Sequence, residues 1–371
     1  MSLGSLTMRM KTVLVGVGQA GGKLTAALAE FDAEMGFDAV LDAVAVNSAR
    51  ADLRPLPLDT VLVGRDRVQG HGVGGDNELG AEVMQADAVE VMDALGDRVT
   101  AETEAIVVVA GLGGGTGSGG APVLAKELGR VYDVPVYGLG VLPGGDEGAL
   151  YQVNAGRSLK TFVREADSVL LVDNDAWRAT GESVEEGYAS INRNVAQRVG
   201  LLLAAGEAVE GVAESVVDSS EVINTLATGG MASLGYATAA AGATAADNVN
   251  TITSTARQAL LTGASLPDAT DAEAALLVVA GEPDRLSRKG VETARRWIEE
   301  ETGSLQVRGG DFPLESDRVA SLVLLGGVER SQRVEAFLER ARQAQQEADE
   351  LEAGREDPAE AFATDELDDL L

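Results

Sequence analysis

The run Ala110–Pro122, AGLGGGTGSGGAP, follows the apolar stretch Ala105–Ala110 and precedes Ala121–Val131, where Val123, Leu124, Leu128 and Val131 recur at helical spacing. A buried strand, a glycine-rich stretch and a helix therefore stand in that order. Seven glycines with one threonine and one serine leave nothing to pack, so the run is expected to serve a ligand and not a core. At a helix start, N–H groups lack partners and the dipole is positive, which suits an anion. Residues without side chains let the backbone approach phosphate closely. Gly113, Gly114, Gly115 and Gly117 offer that approach, and the hydroxyls of Thr116 and Ser118 add donors. A flexible linker is the bland alternative, but linkers are not flanked so tightly by a strand and an amphipathic helix.

Two further stretches repeat the pattern. Thr12–Gly16 (TVLVG) is an apolar strand that runs into Gly18, Gln19, Ala20, Gly21, Gly22 and Lys23, then into a helix with Leu24, Leu28 and Phe31 on one face. Leu24 after Lys23 and Val17 before Gly18 put a Walker loop out of register. Ala39–Val46 is a strand ending at Asn47, where a dinucleotide-binding unit would favour Asp or Glu. Thr60–Gly64, a third strand, leads to GHGVGGDN at 70–77, with Gly74, Gly75 and Asp76 at its end. Glu78–Leu95 is expected to be one helix. Three glycine-rich loops after strands in one α/β region point to a nucleotide with several phosphates.

Later residues offer contacts for a base. Val134–Leu142 and Ser168–Val172 are strands, with a helix at Tyr151–Ala166 between them. Asn174 at the end of the second strand can donate and accept towards a base, or simply make a turn. Ser183–Glu186 (SVEE) is a capping box opening a long helix to about Ala205. Tyr188 and Asn192 share a face there, a ring to stack a base and an amide to read its edge; a core role for Tyr188 is the alternative. Asp218 and Glu221 lie three apart at a helix start, where acids also suit the dipole.

The second half has strands at Leu234–Thr238, Ala274–Ala280, Leu305–Arg308 and Val319–Leu325, and helices at Asn250–Leu261, Arg288–Glu301 and Val334–Leu351. It reads as a smaller α+β domain. Ala239–Asp247 is a bland Ala/Gly/Thr loop. From Gly354 the tail is acidic and expected to be disordered.

Composition excludes several classes. There are no cysteines and one histidine, His71, in a glycine-rich loop, so thiol chemistry is out and the composition argues against a Ser-His-Asp triad. Net charge is −31 with five lysines, which suits a salty cytoplasm. No basic stripe favours nucleic acid, and no apolar run is long enough to span a membrane. Met1–Thr7 reads as a leader, with Met8 or Met10 the natural start.

Taken together, Gly113–Gly119 (GGGTGSG), Gly18–Lys23 (GQAGGK), GHGVGGDN and Val216–Glu221 (VDSSE after Val216) resemble the ordered motifs of the tubulin/FtsZ superfamily, from Lys11 to about Leu351. Details are similar to its haloarchaeal CetZ group. The resemblance implies an α/β fold with a Rossmann-like GTPase domain at 8–182, a central helix at 183–205, a C-terminal α+β domain at 206–353 and an acidic tail at 354–371. It implies that GTP or GDP is the ligand, with Mg²⁺ held mainly through the phosphates and no protein metal site. Tyr188 and Asn192 then match the base-stacking and base-reading pair, Glu147 the acid near the ribose, and Asn174 a guanine contact. Asp218 and Glu221 match the acids that reach the next subunit's nucleotide.

A self-polymerising cytoplasmic GTPase of archaeal cell shape is the function implied. The alternatives are an FtsZ-type division protein, a GTP-binding filament regulator without hydrolysis, and a dinucleotide oxidoreductase. The tail has no partner that the sequence identifies. Two departures stand out: Val216 where FtsZ and tubulin have Asn, and Tyr151 where FtsZ has Arg. The bland 239–247 loop implies weak lateral association.

Overall fold

The computed structural model describes residues 9–177, 184–205, 217–269 and 271–353. Val216, the 183–186 capping box as a unit, the leader and the tail lie outside the described residues. Among the described residues ten strands form one sheet: β1 (Thr12–Val17), β2 (Val40–Asn47), β3 (Asp59–Leu62), β4 (Ala105–Gly111), β5 (Val136–Leu142), β6 (Ser168–Asp173), β7 (Met231–Ala240), β8 (Asp271–Gly281), β9 (Gln306–Pro313) and β10 (Arg318–Arg330). Their order is β3-β2-β1-β4-β5-β6-β7-β10-β8-β9. The helices are α1 (Gly18–Met35), α2 (Arg50–Leu53), α3 (Arg65–Val68), α4 (Asn77–Ala86), α5 (Ala88–Leu95), α6 (Gly115–Val131), α7 (Ala149–Glu165) and α8 (Val184–Ala204), then α9 (Ser219–Leu226), α10 (Val249–Leu261), α11 (Arg288–Thr302) and α12 (Gln332–Ala353).

The first six strands are all parallel. β1 is buried along its whole length, as is β4 up to Ala110, which is why both read as unbroken apolar runs and not as alternating ones. The chain winds outward from β1 through β2 to β3, then returns to β4 and winds the other way. That reversal between β1 and β4 leaves a crevice at their carboxyl ends, the place where such sheets bind ligands.

Apolar side chains fill both faces of the sheet. One face takes α4 to α7 together with α10 and α11; the other takes α1, α8 and α9. The second half is mixed: β10 runs antiparallel to β7 and β8, and β9 is parallel to β8. It joins the first half in the same sheet, through two residue pairs between β6 and β7.

Two local expectations need correction. The 78–95 segment is two helices, broken at Asp87, whose carboxylate accepts the Gly64 N–H at 2.6 Å instead of letting the helix run on. The loop after β7 is bland in composition but tightly organised. Buried Asn248 accepts the Gly242 N–H at 2.7 Å and donates to three carbonyls, including Arg285 at 3.0 Å.

The central glycines are also not free of packing duty. α6 starts at Gly115, six residues before the expected start, so the run is mostly helix. A Cβ on Gly119 would lie 2.0 Å from the Asn77 carbonyl, and one on Gly80 would lie 2.3 Å from the Gly115 carbonyl. The glycines let α4 and α6 touch backbone to backbone. Pro122, within α6, removes the N–H that would serve the Ser118 carbonyl; the Ser158 hydroxyl donates to that carbonyl at 2.7 Å.

Candidate functional site

At the crevice between β1 and β4, the first turns of α1 and α6 meet. Gly18 has φ +75, and a Cβ there would lie 2.8 Å from the Gly117 N. Only glycine tolerates both that conformation and that approach. Two helix N-termini, with their partnerless N–H groups, are thereby brought to one point. Gly114 precedes α6 in extended conformation and opens on space: an added Cβ would meet nothing within 4 Å.

The cleft built around this point has a volume of about 450 Å³. The structure brings most of the expected ligand residues to it. Gly18, Gln19, Ala20 and Lys23 come from α1 and Asn47 from β2. Gly74 and Gly75 come from the second loop, and Gly113, Gly114, Gly115, Thr116 and Gly117 from the central run. Glu147, Asn174, Tyr188 and Asn192 line it as well.

Gly21, Gly22, Asp76 and Ser118 do not line it. A Cβ on Gly21 would lie 2.2 Å from the Val109 carbonyl, and one on Gly22 would press on Leu56, so both serve the seat of α1. Asp76 caps α4 by accepting the Leu79 N–H at 2.9 Å. The Ser118 hydroxyl turns back to the Gly114 carbonyl and accepts from Asn77.

Side chains the sequence did not single out hold the loops. Buried Asn154, on α7, donates to the carbonyls of Gly75 at 2.8 Å and Gly113 at 3.0 Å, tying the second glycine loop to the third. The Ser48 and Thr116 hydroxyls pair at 2.6 Å, tying the residue just after β2 to α6. Asp52 lines the cleft and accepts from Gln19 and Asn47, both at 3.1 Å. No sequence pattern marks Asn154, because it sits on an ordinary helix face; Asp52 lies in the RAD stretch just after Asn47, where a single acid after a strand end carries no distinct signal.

The opposite end of the cleft is fastened differently. Asn174 opens a short 3₁₀ turn, Asn174–Trp177, directly after β6, and is almost fully buried. Glu147 accepts the Gly144 N–H at 2.8 Å and the Tyr188 hydroxyl at 3.2 Å. Tyr188 is 38% exposed, so it is a lip residue and not a core one. Tyr151 also lines the cleft, with its ring beside Gly113.

Asp218 and Glu221 are absent from the cleft lining. Asp218 caps α9, accepting the Glu221 N–H at 3.1 Å. Glu104 holds that helix start from below, taking the Ser219 hydroxyl at 2.8 Å and the Lys11 N–H at 2.9 Å. Burial, and then the neighbouring Asp218, push the Glu221 carboxyl above the ordinary carboxylate value, with Arg308 opposing. Its Oε2 is buried without a hydrogen-bond partner among the described residues. Also among the described residues, no group of three or more His, Cys, Asp or Glu side chains is arranged to hold a metal, and no helix is long and apolar enough to cross a membrane.

Residues 11–181 match the family described as Tubulin/FtsZ family, GTPase domain, and residues 181–343 match Tubulin-like CetZ, C-terminal domain. Tubulin-like protein CetZ2 of Haloferax volcanii is 72% identical over 362 residues, covering 98% of this chain and 100% of that protein. A solved structure titled CetZ2 from Haloferax volcanii, GTPγS bound protofilament, superposes with a TM-score of 0.89 at 71% identity, covering 92% of this chain and all of that one. Another, titled CetZ1 from Haloferax volcanii, GDP bound monomer, gives 0.84 at 51% identity over 91% of this chain and all of that one.

Proposed function

This chain belongs to the CetZ group of the tubulin/FtsZ family, and on that premise we propose a GTPase that polymerises head to tail and completes its active site between subunits. One observation carries the proposal: the phosphate-type cleft is assembled within one chain, but the acids Asp218 and Glu221 stand outside it on α9. Their reach would be to the nucleotide of the next subunit. The CetZ2 relative, solved as a GTPγS bound protofilament, supports that arrangement by similarity.

In this scheme the N-termini of α1 and α6 hold the phosphates through backbone N–H groups, with Lys23 adding charge. Tyr188 stacks on the base while Asn174 and Asn192 read its edge, and Glu147 takes the ribose. Asp218 and Glu221 of the neighbour orient and polarise the attacking water, because phosphoryl transfer is mainly positioning and charge stabilisation. Among the described residues the carboxylates that line the cleft are Asp52 and Glu147, too few oxygens for a protein cage. That donor set fits a Mg²⁺ ion held through phosphate and water, which would neutralise charge on the phosphates when bound.

The chain divides, in the same proposal, into a GTP-binding domain at 8–182, a central helix at 183–205, a C-terminal domain at 206–353 and a tail at 354–371. The setting would be the cytoplasm of a salt-adapted cell and the task control of cell shape. The test is GTPase activity per subunit, with pelleting, across protein concentration in molar KCl. Specific activity should rise with concentration as filaments form. Activity that stays flat from dilute to concentrated protein would defeat the shared site.

A further inference from the structure

Arg333 is the second residue of α12, where a cation opposes the helix dipole. Two carboxylates account for its place. Its Nε donates to Asp173 Oδ2, and its Nη2 donates to Asp175 Oδ2 at 2.7 Å. The Asp173 side chain is only 3% exposed, so the guanidinium neutralises a charge that burial would otherwise penalise. Asp173 Oδ1 accepts the Asp175 N–H at 3.2 Å. The two acids thus bracket Asn174, and Arg333 closes the bracket.

The same Asp175 Oδ2 accepts the Gly145 N–H at 2.9 Å. Gly145 belongs to the 143–148 loop, which carries Glu147 and, through it, meets the Tyr188 hydroxyl. One guanidinium therefore fastens both supports of one end of the cleft, the turn that presents Asn174 and the loop that presents Glu147. The other end is fastened by different residues, Asn154 and the Ser48–Thr116 pair.

We propose that Arg333 is a positioning residue for recognition of the base and ribose: by bridging Asp173 and Asp175 it holds Asn174 and the Glu147 loop against the nucleoside, so the C-terminal helix takes part in choosing the base. The inference rests on the guanine-nucleotide reading of the cleft. A lysine would not reproduce the bridge, because a point charge cannot span two carboxylates as a planar fork does.

The test uses the full chain in molar KCl and measures binding of GTP, ATP and inorganic tripolyphosphate to the parent, to Arg333→Lys and to the neutral double variant Asp173→Asn/Arg333→Gln. The double variant leaves no buried carboxylate unpaired, so it guards against loss of the fold. Circular dichroism checks that each variant is folded.

For both variants, GTP should bind about tenfold more weakly, the loss of roughly one net hydrogen bond's worth of binding. ATP, which shares the ribose but not the base, should lose less than GTP, and tripolyphosphate should change little, so the preference for GTP over ATP narrows. An ion pair with only a structural role would weaken all three alike or leave all three unchanged, and either result in folded protein overturns the proposal. A parent that binds ATP as tightly as GTP removes the guanine reading itself, and this inference with it.

Discussion

The hydroxyl of Ser158 donates to the backbone carbonyl of Ser118 at 2.7 Å, and that carbonyl is the one Pro122 leaves unserved four residues on. Both groups are buried, so the bond cannot be replaced by water without rearrangement. It keeps the glycine-rich first turns of α6 helical across a proline. Ser158→Ala should cost about 1–3 kcal/mol, the penalty for an unsatisfied buried acceptor. Denaturant unfolding in molar KCl checks this; a midpoint equal to the parent's would mean that the helix tolerates the orphaned carbonyl.

Base selectivity should reside at the Tyr188 end of the cleft. Asn192→Ala should weaken GTP about tenfold, near 1.4 kcal/mol, and narrow its advantage over ATP. Competition binding with the two nucleotides reads the ratio directly. An unchanged ratio would take Asn192 out of base recognition.

Glu221 should give hydrolysis an acid limb. Its carboxyl is held above the ordinary 4.5 by burial and by Asp218. The folded chain therefore keeps that proton to higher pH than the unfolded chain does. The corresponding stability is full below the unfolded value and is lost as pH rises through the folded one. Catalysis needs the ionised form, so activity should fall on acidification at a pH above 4.5. Glu221→Ala should bind GTP normally, hydrolyse it poorly and remove this limb. A pH–rate profile of assembled protein that keeps the limb in Glu221→Ala would assign it to another group.

Folding and assembly should strengthen as KCl rises towards molar levels. Net charge is −31, and the Debye length shrinks from about 10 Å at 0.1 M to about 3 Å at 1 M. Surface pairs such as Arg67–Glu82 contribute little and are screened together with the repulsion. Thermal melts across KCl concentration give the measurement, and a melting temperature indifferent to salt would argue against adaptation to a salty interior.

The centre of the sheet's first half is legible because β1 and β4 are buried on both faces and so appear as bare apolar runs that lead into glycines. Tyr188 and Asn192 were legible because four-residue spacing puts them on one helix face. What stayed hidden was the division of labour among glycines. A glycine that admits a phosphate and one that admits a neighbouring helix look identical in sequence, so Gly21 and Gly22 could not be told apart from Gly18. Asn154 and Arg333 were equally invisible, since each acts on backbone or acids that the chain delivers from more than forty residues away, with no local spacing to betray it. The break at Asp87 leaves no mark in the sequence because the apolar period continues across it, and the Gly64 N–H that the Asp87 carboxylate accepts is brought in by tertiary folding.

Of the seven glycines in the central run, six would drive a methyl group to within about 3.2 Å of a neighbouring atom, while Gly114 faces open space in a backbone conformation open to any residue. The fold and its cargo are thereby uncoupled at one position. A methyl group at 114 would meet none of the protein's own atoms within 4 Å and would act on whatever enters the cleft. Gly114 is a steric dial, on which the grip and lifetime of a bound ligand can drift or be tuned, by selection or by design, while the scaffold around it stays the same.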